Sequence, residues 1–184
     1  VQYIKQGWIN RNRILHPNKS GWLYIQAPVS RSSFKVSFET KIMDVRIFDG
    51  KPWKQHIIGQ LQHYRQEAPY YEQVVKLIQE CFSIPEESIS RLNLKILDLC
   101  AQYIGIRFKY QFLSELNLEQ DVNLNAEERV LNLCNHFGVE EYVNLPGGVN
   151  LYDPDIFESH NIRLIFRKLP TFFYSSGSYA FEPN

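Results

Sequence analysis

The chain has 184 residues, 44% of them hydrophobic and 22% charged, which is enough for one packed domain and too apolar for a disordered tail. Lys and Arg together equal Asp and Glu, so no global field draws in nucleic acid or anionic lipid. No apolar run approaches the ~18 residues of a membrane helix, and the start Val1-Gln2-Tyr3-Ile4-Lys5 lacks the apolar core of a secretory signal.

In chain order, Trp22–Val29 is rich in strand formers and follows the turn cluster Asn18-Lys19-Ser20-Gly21. Phe34–Phe38 alternates at period two, and Ile42–Phe48 is a further strand-like run. Lys51–Glu67 predicts a helix with Pro52 in its first turn, and Ala68-Pro69 stops it. A second helix is predicted from about Tyr70 to Phe82, and a third from Ser88 to Tyr103, ended by Gly105. The rhythm then changes. Ile106–Phe112 reads as a strand, Ala126–Phe137 as a helix stopped at Gly138, Tyr142–Leu145 as a strand, Asp153–His160 as a helix and Ile162–Phe166 as a strand. This alternation predicts an α/β fold: a mainly parallel sheet flanked by helices, with a helical insertion in the first half. One domain over 1–184 is expected, with both ends of the chain reading as clipped.

Charge is segregated along this order. Val1–Lys35 carries six basic residues and no acid, whereas Glu115–Glu158 carries ten acids against Arg129 alone. Two opposed faces are the plain reading, and a basic segment turned toward an anionic ligand is the sharper one. The three cysteines are isolated in apolar runs, without metal-ligand spacing, and fit buried thiols in a reducing compartment. His56 and His63 share a helical stripe with Gln60, but no carboxylate joins them, so no metal site is expected. Walker, dinucleotide-binding and HExxH motifs are absent, and no cofactor is assigned.

The densest hydrogen-bonding run is Lys5–Arg13. Arg11 and Arg13 offer forks for phosphate, Asn10 an amide for a base or sugar, and Trp8 a stacking face. A strand with arginines paired to the acidic half is the alternative. Loops at the carboxyl ends of parallel strands are the other candidates. One holds Ser114 and Glu115, the latter a general base, a sugar ligand or a plain surface acid. The other holds Gly147-Gly148, where backbone can approach a ligand or simply make a tight turn. His56, among aromatic neighbours in sequence, completes the catalytic candidates.

Several segments together resemble the WbqC-like protein family: Gly7-Trp8-Ile9-Asn10-Arg11-Asn12-Arg13-Ile14, Trp53-Lys54-Gln55-His56, Ala68-Pro69-Tyr70-Tyr71, Ser114-Glu115-Leu116, Glu128-Arg129-Val130-Leu131, and Tyr142-Val143-Asn144 followed by Gly147-Gly148 and Tyr152. They occur in order over essentially the whole chain. The resemblance implies further segments before and after those present here. It also implies a cytoplasmic step of surface polysaccharide or O-antigen biosynthesis, a transferase-type modification of a nucleotide-linked amino sugar, or else a non-enzymatic binding or scaffold protein of the same pathway. In the enzyme reading Glu115, Ser114 and His56 are catalytic. Trp8, Asn10, Arg11, Arg13, Arg129, Asn144, Gly147, Gly148 and Tyr152 bind the substrate. The expected partner is a small nucleotide sugar, with neither nucleic acid nor a membrane span.

Overall fold

A computed structural model describes residues 2–30, 40–116, 118, 124–170, 175 and 177–179. The chain divides into two compact units, Val1–Glu115 with Ser175–Asn184, and Leu116–Tyr174.

The first unit opens with an antiparallel ribbon of β1 (Arg11–Leu15) and β2 (Trp22–Gln26), in a register that sets Arg11 opposite Gln26, Arg13 opposite Tyr24 and Leu15 opposite Trp22. The turn between them uses left-handed backbone at Lys19 (φ 67°) and Gly21 (φ 74°), and His16 N–H donates across it to Gly21 O. Side chains alternate. Ile14 packs on the Leu61–Tyr71–Val75 cluster and Ile25 on the Trp53–Ile57–Leu92 cluster, which leaves Arg11, Arg13, Trp22 and Tyr24 on the opposite face.

Three helices cover the inner face: α1 (Trp53–Gln60), α2 (Tyr71–Ser83) and α3 (Ile89–Tyr103). The helix expected to reach Glu67 stops at Gln60 for a visible reason. His63 Nδ1 lies 2.8 Å from the Gln60 carbonyl, the acceptor that a continuing helix would offer to Tyr64 N–H. Tyr64 N–H turns instead to Leu61 O, and the chain tightens into a 3-10 turn, Gln62–Tyr64. The other His63 nitrogen lies 3.0 Å from Leu15 O, which ties this turn to the end of β1. The end of α3 matches the sequence. Gly105 takes φ 75°, its N–H donates to Gln102 O, and Ile106 N–H donates to Ala101 O, the paired bonds of a Schellman cap.

Glu67 clamps chain-distant pieces of this unit. It accepts from the Ser178 hydroxyl, from Ser178 N–H at 3.0 Å and from Lys19 Nζ at 3.0 Å. The Ser178 hydroxyl first, then Lys19 and Ser178 N–H, draw its pKa from 4.5 down to about 2. A depressed carboxyl stabilises the fold fully above its ordinary pKa and loses that contribution as pH falls through its folded value. Glu67→Gln is therefore expected to be less stable than the wild type at pH 6. The gap closes as pH drops from about 4.5 toward about 2, read by denaturant melts across that range.

The second unit is α4 (Ala126–Phe137), β3 (Glu141–Asn144), α5 (Pro154–Ser159) and β4 (Arg163–Phe166), with β3 and β4 parallel and Glu141 opposite Arg163. Asn125 and Glu128 form a capping box at the start of α4, and Gly138 in left-handed backbone (φ 58°) ends it. Asp153 caps α5 and its own N–H donates to Glu127. Leu131, Cys134, Phe157 and Ile162 make the core.

The structure thus has the mixed helix and strand content expected, and the β3–α5–β4 crossover. It corrects the expectation of a mainly parallel sheet. Among the described residues both sheets have two strands, and one is antiparallel. Ile106–Phe112 forms no ladder among the described residues, and Ile42–Phe48 holds a 3-10 turn, Ile42–Asp44, followed by single bridges from Val29 to Ile47 and from Arg46 to Ser88. Phe34–Phe38 lies outside the described residues. No described helix is long and apolar enough to cross a membrane. All three cysteines are free. Burial pushes Cys134 up and takes Cys81 to about 11, so neither thiol is a ready nucleophile.

Candidate functional site

The outer face of the ribbon gathers cations and aromatic rings. Arg13 lies over the Trp22 ring at 4.1 Å and the Trp8 ring at 5.7 Å, while Arg11 lies over Tyr24 at 4.8 Å and Trp8 at 5.4 Å. The diagonal contacts, Arg11 to Tyr24 and Arg13 to Trp22, follow from the register. Trp8 and Tyr24 are exposed, with ring centroids 6.1 Å apart. A guanidinium stacked on a ring still presents its N–H edge in plane, the geometry that grips a phosphate. Arg11 Nε is buried without a hydrogen-bond partner, and among the described residues no carboxylate pairs with Arg11.

Asn10 directly precedes β1. It is buried, accepts from the Tyr3 hydroxyl at 2.9 Å and donates to Ala27 O at 2.9 Å, while its backbone carbonyl takes Ala27 N–H. Its amide therefore extends the ribbon by one step toward Trp8. Burial raises the Tyr3 pKa and the Arg11 charge draws it partly back, so the phenol stays a donor.

Ser114 and Glu115 sit in a 3-10 turn, Leu113–Glu115, in the same unit. Both are exposed, and Glu115 accepts from Arg91 Nη2 at 2.7 Å. Helix α3 serves both places, because Asn93 on it donates to Ile9 O at 2.7 Å, just ahead of the ribbon. His56 lies exposed on α1, one residue beyond a cavity of about 460 Å³ lined by Asp49–Gln55.

The remaining candidates belong to the second unit. Asn144 ends β3, and its side-chain oxygen takes Leu145 N–H at 2.8 Å. Gly147 and Gly148 lie in the 3-10 stretch Pro146–Leu151, where they differ sharply. A Cβ on Gly148 would stand 2.6 Å from Asn144 Nδ2 and 3.3 Å from the Tyr152 ring, whereas one on Gly147 meets nothing within 4 Å. Gly148→Ala is accordingly expected to cost about 1–3 kcal/mol, and Gly147→Ala no more than about 0.5 kcal/mol, measured by urea denaturation. Tyr152 packs edge-on to Tyr142 and Phe157. Burial, with Tyr152 alongside, pushes Tyr142 up to about 12, so the Tyr142 phenol keeps its proton near neutrality. Arg129 lies on the exposed face of α4.

Sequence reading had missed Trp22 and Tyr24. Each is ordinary in a strand, and only the ribbon register sets them beside the arginines.

The fold and the ribbon describe a mixed helix–strand protein with a cationic, aromatic surface. The chain belongs to the WbqC-like protein family, whose sequence profile matches residues 1–184. It is also similar to the uncharacterized protein Rv1507c of Mycobacterium tuberculosis, at 26% identity over 165 residues, covering 89% of this chain and 67% of that one. No solved structure matches.

Proposed function

We propose that the protein works in the cytoplasm on surface polysaccharide or O-antigen assembly, as a transferase-type enzyme that modifies a nucleotide-linked amino sugar. The observation that carries this reading is the pair of guanidiniums, Arg11 and Arg13, laid over Trp8, Trp22 and Tyr24 on the outer face of β1 and β2. A sugar nucleotide is both a diphosphate and a set of flat or ring-shaped groups, so one surface of stacked forks and rings suits both halves. Glu115, with Ser114 beside it, would bind or deprotonate the acceptor once Arg91 releases the carboxylate, with His56 as a further acid–base group. The second unit has candidate contacts of its own in Asn144, Gly148 and Tyr152, packed together after β3, with Gly147 in the same 3-10 stretch and Arg129 on α4. Family membership supports the pathway and leaves the donor open.

One observation favours the non-enzymatic alternative, a binding or scaffold protein of the same pathway. Glu115 is already ion-paired at an exposed surface, a poor setting for a base.

Thermal melts with UDP- and dTDP-sugars, with ATP, coenzyme A and single-stranded DNA as controls, test the proposal. A sugar nucleotide at ~100 times its dissociation constant should stabilise the protein by about 2.7 kcal/mol. Arg11→Lys keeps the charge and loses the fork, so it should weaken binding about tenfold with an unchanged ligand-free melt. Equal binding by wild type and variant would remove the phosphate role. Sugar-nucleotide binding without turnover of any acyl donor would favour the scaffold reading.

A further inference from the structure

The segment Ile106–Phe112 plays no part in the function proposed above, yet its sequence reads as a strand and, among the described residues, it pairs with no other strand. Its start is fixed by the cap of α3, where Ile106 N–H reaches Ala101 O, and its end by a turn in which Glu115 N–H reaches Phe112 O. Between those anchors, among the described residues, the N–H and carbonyl groups of Arg107–Gln111 take no hydrogen bond. Ring centroids of Phe108 and Tyr110 are 5.7 Å apart, and those of Tyr110 and Phe112 6.5 Å, so alternate side chains line one side as in extended backbone. Arg91 lies over the last ring at 4.9 Å. Exposed apolar side chains also lead along the chain from the end of α3 into this segment: Leu97, Tyr103, Ile104, Ile106 and Tyr110 are each more than half exposed. Exposed apolar side chains beside a row of unpaired backbone groups are the usual template for pairing with another chain.

Three features define what fits there. The open row of amides and carbonyls calls for an extended peptide, since only another strand matches both groups at the ladder spacing. The aromatic side calls for apolar residues at alternate positions. Arg107 and Lys109 occupy the positions between the rings and, among the described residues, have no carboxylate within ion-pair distance, which calls for acids opposite them. A second copy of this segment fits worse. Lys109 is the centre of the open row, so antiparallel self-pairing over its full length sets Lys109 against Lys109, and parallel pairing in register sets like charge on like charge at Arg107 as well.

We propose that Ile106–Phe112 is a docking edge for an extended, acidic strand of a protein partner, taken up by β-addition. The test uses two fluorescein-labelled peptides, Thr-Glu-Val-Glu-Val-Glu-Thr and its lysine counterpart Thr-Lys-Val-Lys-Val-Lys-Thr, with fluorescence anisotropy and amide hydrogen exchange on the whole chain. The acidic peptide is expected to bind and to slow exchange at Arg107–Gln111 by about tenfold or more, with no protection from the lysine peptide. Tyr110→Pro removes one exposed N–H and should weaken acidic-peptide binding about tenfold with an unchanged melt. Lys109→Glu should reverse the preference between the peptides. Binding of both peptides alike, or of neither, overturns the proposal. So does a concentration-dependent dimer that protects residues 107–111, because the occupant is then a second copy.

Discussion

Phe157→Ala is expected to cost about 3–5 kcal/mol and to loosen the second unit selectively. Phe157 is fully buried, stacks on Tyr142 at 18° and 5.7 Å, and meets Tyr152 edge-on at 5.8 Å. Leu131, Cys134 and Ile162 close the cluster around it. These few residues are the whole buried core of that unit among the described residues, so removing the central ring leaves a cavity that its neighbours cannot fill. Its backbone carbonyl also receives Ile162 N–H and His160 N–H, which link α5 to β4. Amide exchange resolved by peptide should speed up across α4, β3, α5 and β4 and stay close to wild type in the ribbon and α1–α3. Phe157→Leu keeps most of the volume and should cost about half as much or less. A loss spread evenly over both units would mean that the cluster is not a core of its own.

Sequence reading reached the helices because their signals are local. Gly138, Ser88 and Gly105 mark ends whose hydrogen bonds close within a few residues, and the structure places the two ends of α3 and the close of α4 there. It failed where the deciding contact comes from far along the chain. Nothing near Gln60 announces that His63 will take its carbonyl, because the reason for that turn includes Leu15, 48 residues away. Ile106–Phe112 reads as a strand and forms none among the described residues, because a strand also needs a neighbour and residue type says nothing about where one is. The candidate site divides in the same way. Arg11, Arg13 and Trp8 were legible as residue types in one short run. Their mutual geometry depends on Trp22 and Tyr24 across a hairpin whose register the turn fixes. Asn10 was legible as a polar residue, and its burial was not.

That burial yields the second large expected effect, in Asn10→Ala. The carboxamide satisfies the Tyr3 hydroxyl and the Ala27 carbonyl at once, each at 2.9 Å, in a place where water does not replace it freely. Removing it takes a hydrogen bond from each group, at a cost of about 1–3 kcal/mol. The effect should also reach the ligand surface. Asn10 is, with the Asn93-to-Ile9 bond, one of two ties before the chain runs back to Trp8, and Trp8 is the ring shared by Arg11 and Arg13. With the tie cut, Trp8 has less to hold it over the two guanidiniums, and sugar-nucleotide affinity should fall about tenfold along with stability. Comparison with Arg11→Lys separates positioning from contact, since that variant is expected to lose affinity with its ligand-free melt intact. If Asn10 read the base or sugar directly, Asn10→Ala would behave like Arg11→Lys. A lowered ligand-free melt together with weaker binding identifies Asn10 as the residue that sets the ribbon, and places recognition on the arginines and rings it holds in line.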